Sequence, residues 1–358
     1  MFGRDDWDLV KSRWSAVWEN EIIDRCCVVV TAPKNGIKPA PEPYPENYED
    51  KVRYWTDGEQ VLKRYLKEMD NTYLAGDAFN IHRLNLGPSG HAGYFKGAGF
   101  EFRDTTVWFH PQMNGWEDGF PEFEPDGFLY LKTKEIAKYL CAESKQDFVI
   151  SMPSTSGNMD VLAHMRGSEN VLIDLVEEPE KVHDAMAKIQ EVYETTHKDV
   201  YNIVKDNNDG GSSVGWLRTW APGFHAQMQC DISVMISPDM FKEYAMSELD
   251  AQCSFLQVPL YHFDGIEQIR HLDMLLAIKN LKMIQWTQVA GQPRATDHIA
   301  QLRKIQSSGK GLLIIVEPHQ IEPLMEQLSS KGLVLVTQAS SREEADDIVR
   351  KVIKLTHE

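Results

Sequence analysis

The stretch Leu256-Gln-Val-Pro-Leu-Tyr-His-Phe-Asp264-Gly265 reads as a short buried strand over 256–261 that stops at two polar side chains and a glycine. In an extended backbone His262 and Asp264 stand two residues apart and project from one face, and Gly265 lets the chain turn away beneath them. An imidazole beside a carboxylate at the end of a buried strand suits metal ligation or proton transfer; a histidine closing the strand and an aspartate capping the next helix is the structural alternative. The segments on its carboxyl side set the fold. A helix over 266–276 leads to the strand 281–286, a helix over 296–307, the strand 311–316, a helix over 321–329, the strand 333–337 and a last helix over 342–355. Four consecutive strand–helix pairs with short connections demand parallel strands joined by right-handed crossovers.

Toward the amino terminus the pattern is looser. Trp7, Val10, Trp14, Val17, Trp18 and Ile22 recur at helical spacing, and the β-branched run from Arg25 to Ala32 reads as a strand buried on both faces. The segment 33–45 carries five prolines in thirteen residues and is expected to be a long loop. Strands are expected at 72–79, 148–152 and 215–220, with helices at 55–69, 129–141, 158–165, 168–177 and 180–205. Counting strands gives eight, the number that closes a (β/α)8 TIM barrel whose active site lies at the carboxyl ends of the strands. The expected organisation is one barrel domain over 1–358, with 33–50 and 93–128 as loop insertions, the second rich in aromatics and covering one end.

Composition narrows the class. A chain of 358 residues, 42% hydrophobic, has material for one large core, and a formal net charge of −17 argues against nucleic acid or an anionic membrane as partner. The five cysteines show no C-x-x-C spacing, so neither a disulfide framework nor a four-cysteine zinc site is indicated. No apolar run is long enough to span a bilayer and the start is polar and acidic, so the expected location is the cytoplasm. Self-association as a homodimer is left open.

Residues at the strand ends are the candidates to line a pocket: Thr31, Asp77 or Asn80, Ser151, Trp220, His262 with Asp264, Gln285 with Trp286, Glu317 with His319, and Gln338. Most are hydrogen-bonding or ionisable, and in a closed barrel His262, Asp264, Gln285 and Glu317 converge on one volume, as metal or acid–base chemistry requires. Each also has a plainer reading. Glu317, before a proline, could be a solvated loop residue, and Gln285 could satisfy a buried backbone group. Asp231 either faces the pocket or caps the helix after Ser237; Cys230 is either a soft ligand or a small buried hydrophobe. The turn 85–91 adds Asn85 as a polar group for substrate.

Four segments carry a resemblance: Ser151-Met-Pro-Ser-Thr-Ser-Gly-Asn-Met-Asp160 with Gly167-Ser-Glu-Asn, Gln229-Cys-Asp-Ile-Ser-Val-Met-Ile-Ser-Pro-Asp-Met-Phe241, Tyr261-His-Phe-Asp-Gly265, and Gly332-Leu-Val-Leu-Val with Ser340-Ser-Arg-Glu-Glu-Ala345. Together they resemble the uroporphyrinogen decarboxylase superfamily, which includes the cobamide-dependent methyltransferases. The match covers about residues 145–355. The arginine-rich signature of the decarboxylase branch is missing from residues 1–50, so the chain looks more like the methyltransferase branch. That branch binds zinc through a His-x-Cys at a strand end and a later cysteine. Here the matching positions read His262-Phe-Asp264 and Gln338-Ala339-Ser340, which exchanges sulfur for harder oxygen ligands.

The resemblance therefore implies a methyltransferase moving a methyl group from a small methylated substrate, such as a methoxylated aromatic, to a corrinoid carried on a partner protein. His262 and Asp264, with Glu317 or Cys230, would hold a divalent metal, zinc on the family's precedent. Asp231 or Asn158 would orient the substrate between walls formed by Trp220 and Trp286. Two rival expectations stand beside it: a metal-independent decarboxylase or lyase using Asp231 or Asp264, and a barrel that binds a ligand without turnover.

Overall fold

The computed structural model describes residues 1–36 and 42–358, so part of the loop expected at 33–50 lies outside the described residues. Among the described residues the strands are β1 (Cys27–Pro33), β2 (Thr72–Gly76), β3 (Ile81–His82), β4 (Gly99–Phe102), β5 (Val107–His110), β6 (Val149–Ile150), β7 (Gly211–Ser212), β8 (Ala221–Pro222), β9 (His225–Met228), β10 (Val258–Phe263), β11 (Met283–Trp286), β12 (Gly311–Ile315) and β13 (Leu333–Gln338). One ladder of seven runs β2-β1-β13-β12-β11-β10-β9. All its neighbours are parallel except β1 and β2, which pair antiparallel with Val30 opposite Ala75. The last three strand–helix repeats fall where their hydrophobic periods put them, as with the final helix Arg342–Leu355.

The expected barrel is not closed by a continuous ladder among the described residues. β3 and β6 form a separate parallel pair, tied to the rest just past β6, where the amide of Met152 donates to the Ser213 carbonyl (2.8 Å). The expected strand at 215–220 is replaced by a 3-10 turn, Gly215–Leu217, with Arg218 left-handed at φ 55°. Beside it the chain makes two short segments, β7 and β9, where one strand was expected. The Ser212 hydroxyl stitches them, donating to the His225 carbonyl (3.0 Å) and accepting from the His225 amide (2.6 Å). The region 93–128 contains the β4–β5 hairpin, whose Phe102, Val107 and Phe109 are buried in the outer core.

Strand alternation divides the interior into two cores. Val29, Leu260, Met283, Leu313 and Val334 share the inner face with Trp7, Val10, Trp14, Val17 and Trp18 of the helix Trp7–Trp18. Their neighbours Val28, Tyr261, Ile284, Leu312 and Leu335 face the outer layer of helices. The amino-terminal helix thus seals the amino ends of the strands with indole rings, each such burial worth about 1.5–3 kcal/mol. The Trp18 ring lies 4.8 Å from that of His225, the first residue of β9. Asp77, a candidate for the pocket, serves this end instead. Its buried carboxylate accepts from Arg25 (2.5 and 2.9 Å), Arg13 (3.2 Å) and the Val28 amide (2.9 Å).

Candidate metal centre

Toward the carboxyl ends the inner face turns polar. In β9, His225 and Gln227 point inward, and Gln229 and Asp231 continue the same alternation past the strand. They form a string: Gln227 Nε2 donates to Gln229 Oε1 (2.6 Å), and Gln229 Nε2 to Asp231 Oδ2 (2.9 Å). The backbone there is gripped from the neighbouring helix Asn158–Arg166. Its Asp160 carboxylate accepts from the amides of Asp231 (3.0 Å), Ile232 (2.9 Å) and Gly157 (3.1 Å).

From β10, His262 takes the inner face above Leu260, and Gly265 at φ 87° supplies the left-handed turn that ends the segment. One ligand atom each from Asp231, His262 and Asp264 lies within 4.8 Å of the others. His262 Nε2 is 4.0 Å from an Asp264 oxygen. On its other side His262 Nδ1 meets Gln285 Oε1 in a short hydrogen bond and lies 3.2 Å from Thr287 Oγ1, while Gln285 Nε2 donates to Thr287 (3.0 Å). With the amide assigned that way round, Nδ1 carries the proton and Nε2 presents its lone pair to the two carboxylates. The Trp216 ring stands edge-on to the imidazole at 5.0 Å, and its N–H is held by Gln227 Oε1.

The electrostatics fit a cation. Burial, reinforced by Asp160 and then Asp264, pushes the Asp231 carboxyl up to about 8. Burial also raises Asp160 against the pull of its three backbone donors. Burial lowers His262, opposed by the Gln285 bond and Asp264, so the imidazole is neutral, as a ligand must be. Asp231 Oδ1 is buried with no hydrogen-bonding partner among the described residues. A lone pair and two carboxylates facing one another call for a positive charge between them, and an N,O,O donor set suits zinc or a harder divalent ion.

Other candidates fall elsewhere. Glu317 is exposed and lies against Arg294 (3.6 Å) and His319 (3.3 Å), outside the three-residue set. Cys230 is fully buried, and burial raises its thiol well above the usual range, so it is a packed hydrophobe and not a thiolate ligand. Trp220 packs on Trp7 (5.6 Å) and donates to the Asn208 carbonyl at the sealed end, which corrects its assignment as a pocket wall. Trp286 belongs to the outer face and stacks on Phe263 at 4.9 Å, so it too is no wall. Asn85 folds its own turn by accepting from the Gly87 amide (3.1 Å). Asn158 joins a buried amide cluster with Gln190 (2.8 Å) and Gln252 (3.3 Å), and its amide donates to Glu248 (2.6 Å). Gln285 does reach the site, as the partner of His262. Trp216, Thr287, Gln227, Gln229 and Asp160 were missed. Two surface clefts, of about 460 and 330 Å³, lie on the flank of the helix Gly58–Asn71 and at the sealed end, away from these groups.

No protein-family model matches the chain, and no curated protein matches it. Among solved structures it is similar to a methyltransferase from Methanosarcina mazei, 11% identical with a TM-score of 0.59, over 97% of this chain and 98% of that one. A B12-independent methionine synthase from Shewanella sp. W3-18-1, in complex with selenomethionine, aligns at 9% identity and a TM-score of 0.45, over 92% and 96% of the two chains. At such identities the first likeness is one of fold, and it extends over nearly the whole length of both chains.

Proposed function

We propose that this chain is a methyl-transfer enzyme of the uroporphyrinogen decarboxylase superfamily in which Asp231, His262 and Asp264 hold a divalent cation. The observation that carries the reading is the buried, unpartnered Asp231 Oδ1 set beside the His262 Nε2 lone pair and Asp264. The sequence resemblance and the fold likeness to a methyltransferase support the reaction class. Such a cation, when bound, polarises a substrate oxygen or nitrogen as a Lewis acid.

The protein's own groups then have distinct tasks. Gln285 and Thr287 fix the imidazole tautomer, so that Nε2 faces the site. Asp160 holds the Asp231 backbone, and Gln229 fixes one oxygen of its carboxylate, leaving the other free. The Trp216 edge shields His262 from water. On this reading the methylated substrate is small and its methyl group passes to a corrinoid on a separate protein, as the family resemblance implies.

Metal analysis tests this. Protein purified without chelator is expected to carry close to one divalent cation per chain, lost in Asp231→Asn and His262→Ala. A stoichiometry near zero, unrestored by added zinc or manganese, sinks it. The decarboxylase reading keeps one supporting observation, an Asp231 carboxyl held protonated near neutral pH and so able to donate a proton. Turnover surviving exhaustive chelation selects it.

A further inference from the structure

Arg83 is a cation that the proposed centre does not use. Arg83 follows β3, whose Ile81 packs in the inner core, so alternation turns Arg83 inward at the carboxyl end of that strand. Among the described residues its guanidinium donates only to the Ser154 hydroxyl, from Nε at 3.3 Å and Nη2 at 3.2 Å. Among the described residues it forms no ion pair with a carboxylate, whereas Arg13, Arg25 and Arg166 each do. The side chain is open to solvent, and partial desolvation lowers its pKa.

Bonded contacts join Arg83 to the candidate metal centre along one rim. Ser154 precedes Thr155, whose carbonyl accepts from Gln227 Nε2 (2.7 Å), and the string continues through Gln229 to Asp231. On the other side a Cβ on Gly215 would stand 3.2 Å from the Arg83 Cα, and the next residue, Trp216, meets His262. A bare glycine thus lets the arginine strand and the indole turn pack against each other. The neighbouring groups Asp160, Asp231 and Asp264 are carboxyls, the first two pushed up by burial, whereas Arg83 keeps a permanent positive charge that attracts an anion.

We propose that Arg83, with Ser154, is the receptor for an oxyanion on the substrate, a carboxylate, phosphonate or sulfonate, whose opposite end reaches Asp231, His262 and Asp264. It deepens the function proposed above by naming the substrate class, small methylated anions, and rests on that reading only for the role of the far end. The planar fork suits two oxygens at once, and the Ser154 hydroxyl offers a third donor.

Ligand-observed NMR titration decides it, with acetate, methylphosphonate and methanesulfonate as probes and neutral acetamide as control. The wild type is expected to bind at least one anion over acetamide; the one bound names the headgroup. Arg83→Gln should weaken that anion tenfold or more. Arg83→Lys, which keeps the charge and loses the fork, should fall between. If Arg83→Gln fails to fold by circular dichroism, Arg83→Lys and Ser154→Ala carry the comparison, each expected to weaken binding about threefold or more. Wild type that binds none of the three anions, or variants that bind them as wild type does, overturns the proposal. Cation stoichiometry on the same samples reads the other centre separately. Anion binding in protein that takes up no cation keeps Arg83 and discards the metal.

Discussion

At the residue scale the chemistry turns on protons. Asp231 must be ionised to hold a cation, but in the free protein its carboxyl sits at about 8. Below that pH each cation bound displaces a proton, so apparent affinity should climb by roughly tenfold per pH unit from pH 6 and level off above about 8. Calorimetric titration across that range checks it, and an affinity flat with pH contradicts it. Gln285→Ala frees the imidazole to rotate and should weaken the cation by about 10–100-fold, with the His262→Ala loss larger still. Glu248 is a separate case. It is buried, one of its oxygens has no partner among the described residues, and desolvation lifts it to about 8 from a usual 4.5. A carboxyl raised in the fold stabilises the protein fully below the unfolded value, and that contribution fades between 4.5 and about 8. Glu248→Gln keeps the oxygen that accepts from the Asn158 amide and cannot ionise. The variant is expected to lose less stability between pH 5 and 8 than the wild type, by about 1–3 kcal/mol in urea unfolding.

At the scale of elements, Gly157 shows how closely helix and strand end must meet. An ideal Cβ there would lie 2.0 Å from the Gln229 carbonyl oxygen, a backbone atom that cannot swing aside. Gly157→Ala should therefore push Gln229 and Asp231 out of line, costing about 1–3 kcal/mol in stability and a large part of the cation affinity. Unchanged metal binding in that variant would show the strand end to be slack. The same scale explains what the sequence could and could not disclose. β10 was legible, though it runs over Val258–Phe263 and takes in His262 where 256–261 was expected, because inner Leu260 and His262 alternate with outer Tyr261 and Phe263 and Gly265 follows its end. The fourth strand was misplaced at 215–220. Its true segments, Gly211–Ser212 and His225–Met228, lack a β-branched run and are held partly by a serine side chain, which no hydrophobic period records. β2 was seen as a strand, but direction leaves no mark on periodicity. Trp216 was hidden inside the supposed strand, while Trp220 and Trp286 attracted attention by position alone. Alternation would have separated Gln285, inward, from Trp286, outward.

The whole molecule keeps its two ends apart in chemistry. One end is sealed by the helix Trp7–Trp18 and the Arg13–Asp77–Arg25 ion cluster; the other collects Arg83, the glutamine string and the acidic set. Among the described residues no helix is long and apolar enough to cross a membrane. Because several strands run from one end to the other, a group placed at the mouth depends on packing at the base only through the ladder as a whole. The two should then contribute independently to stability. Trp14 is fully buried in the inner core, and Trp14→Ala should cost about 3–5 kcal/mol through transfer and cavity. A cation at a hundred times its dissociation constant adds about 2.7 kcal/mol to whatever stability remains. Denaturant unfolding of wild type, Trp14→Ala, Asp231→Asn and the double variant, each with and without zinc, separates these effects. The zinc increment is expected to survive in Trp14→Ala within about 0.5 kcal/mol and to vanish in both proteins carrying Asp231→Asn. If Trp14→Ala abolishes the increment instead, base and mouth form one cooperative unit and the independence of the two ends is wrong.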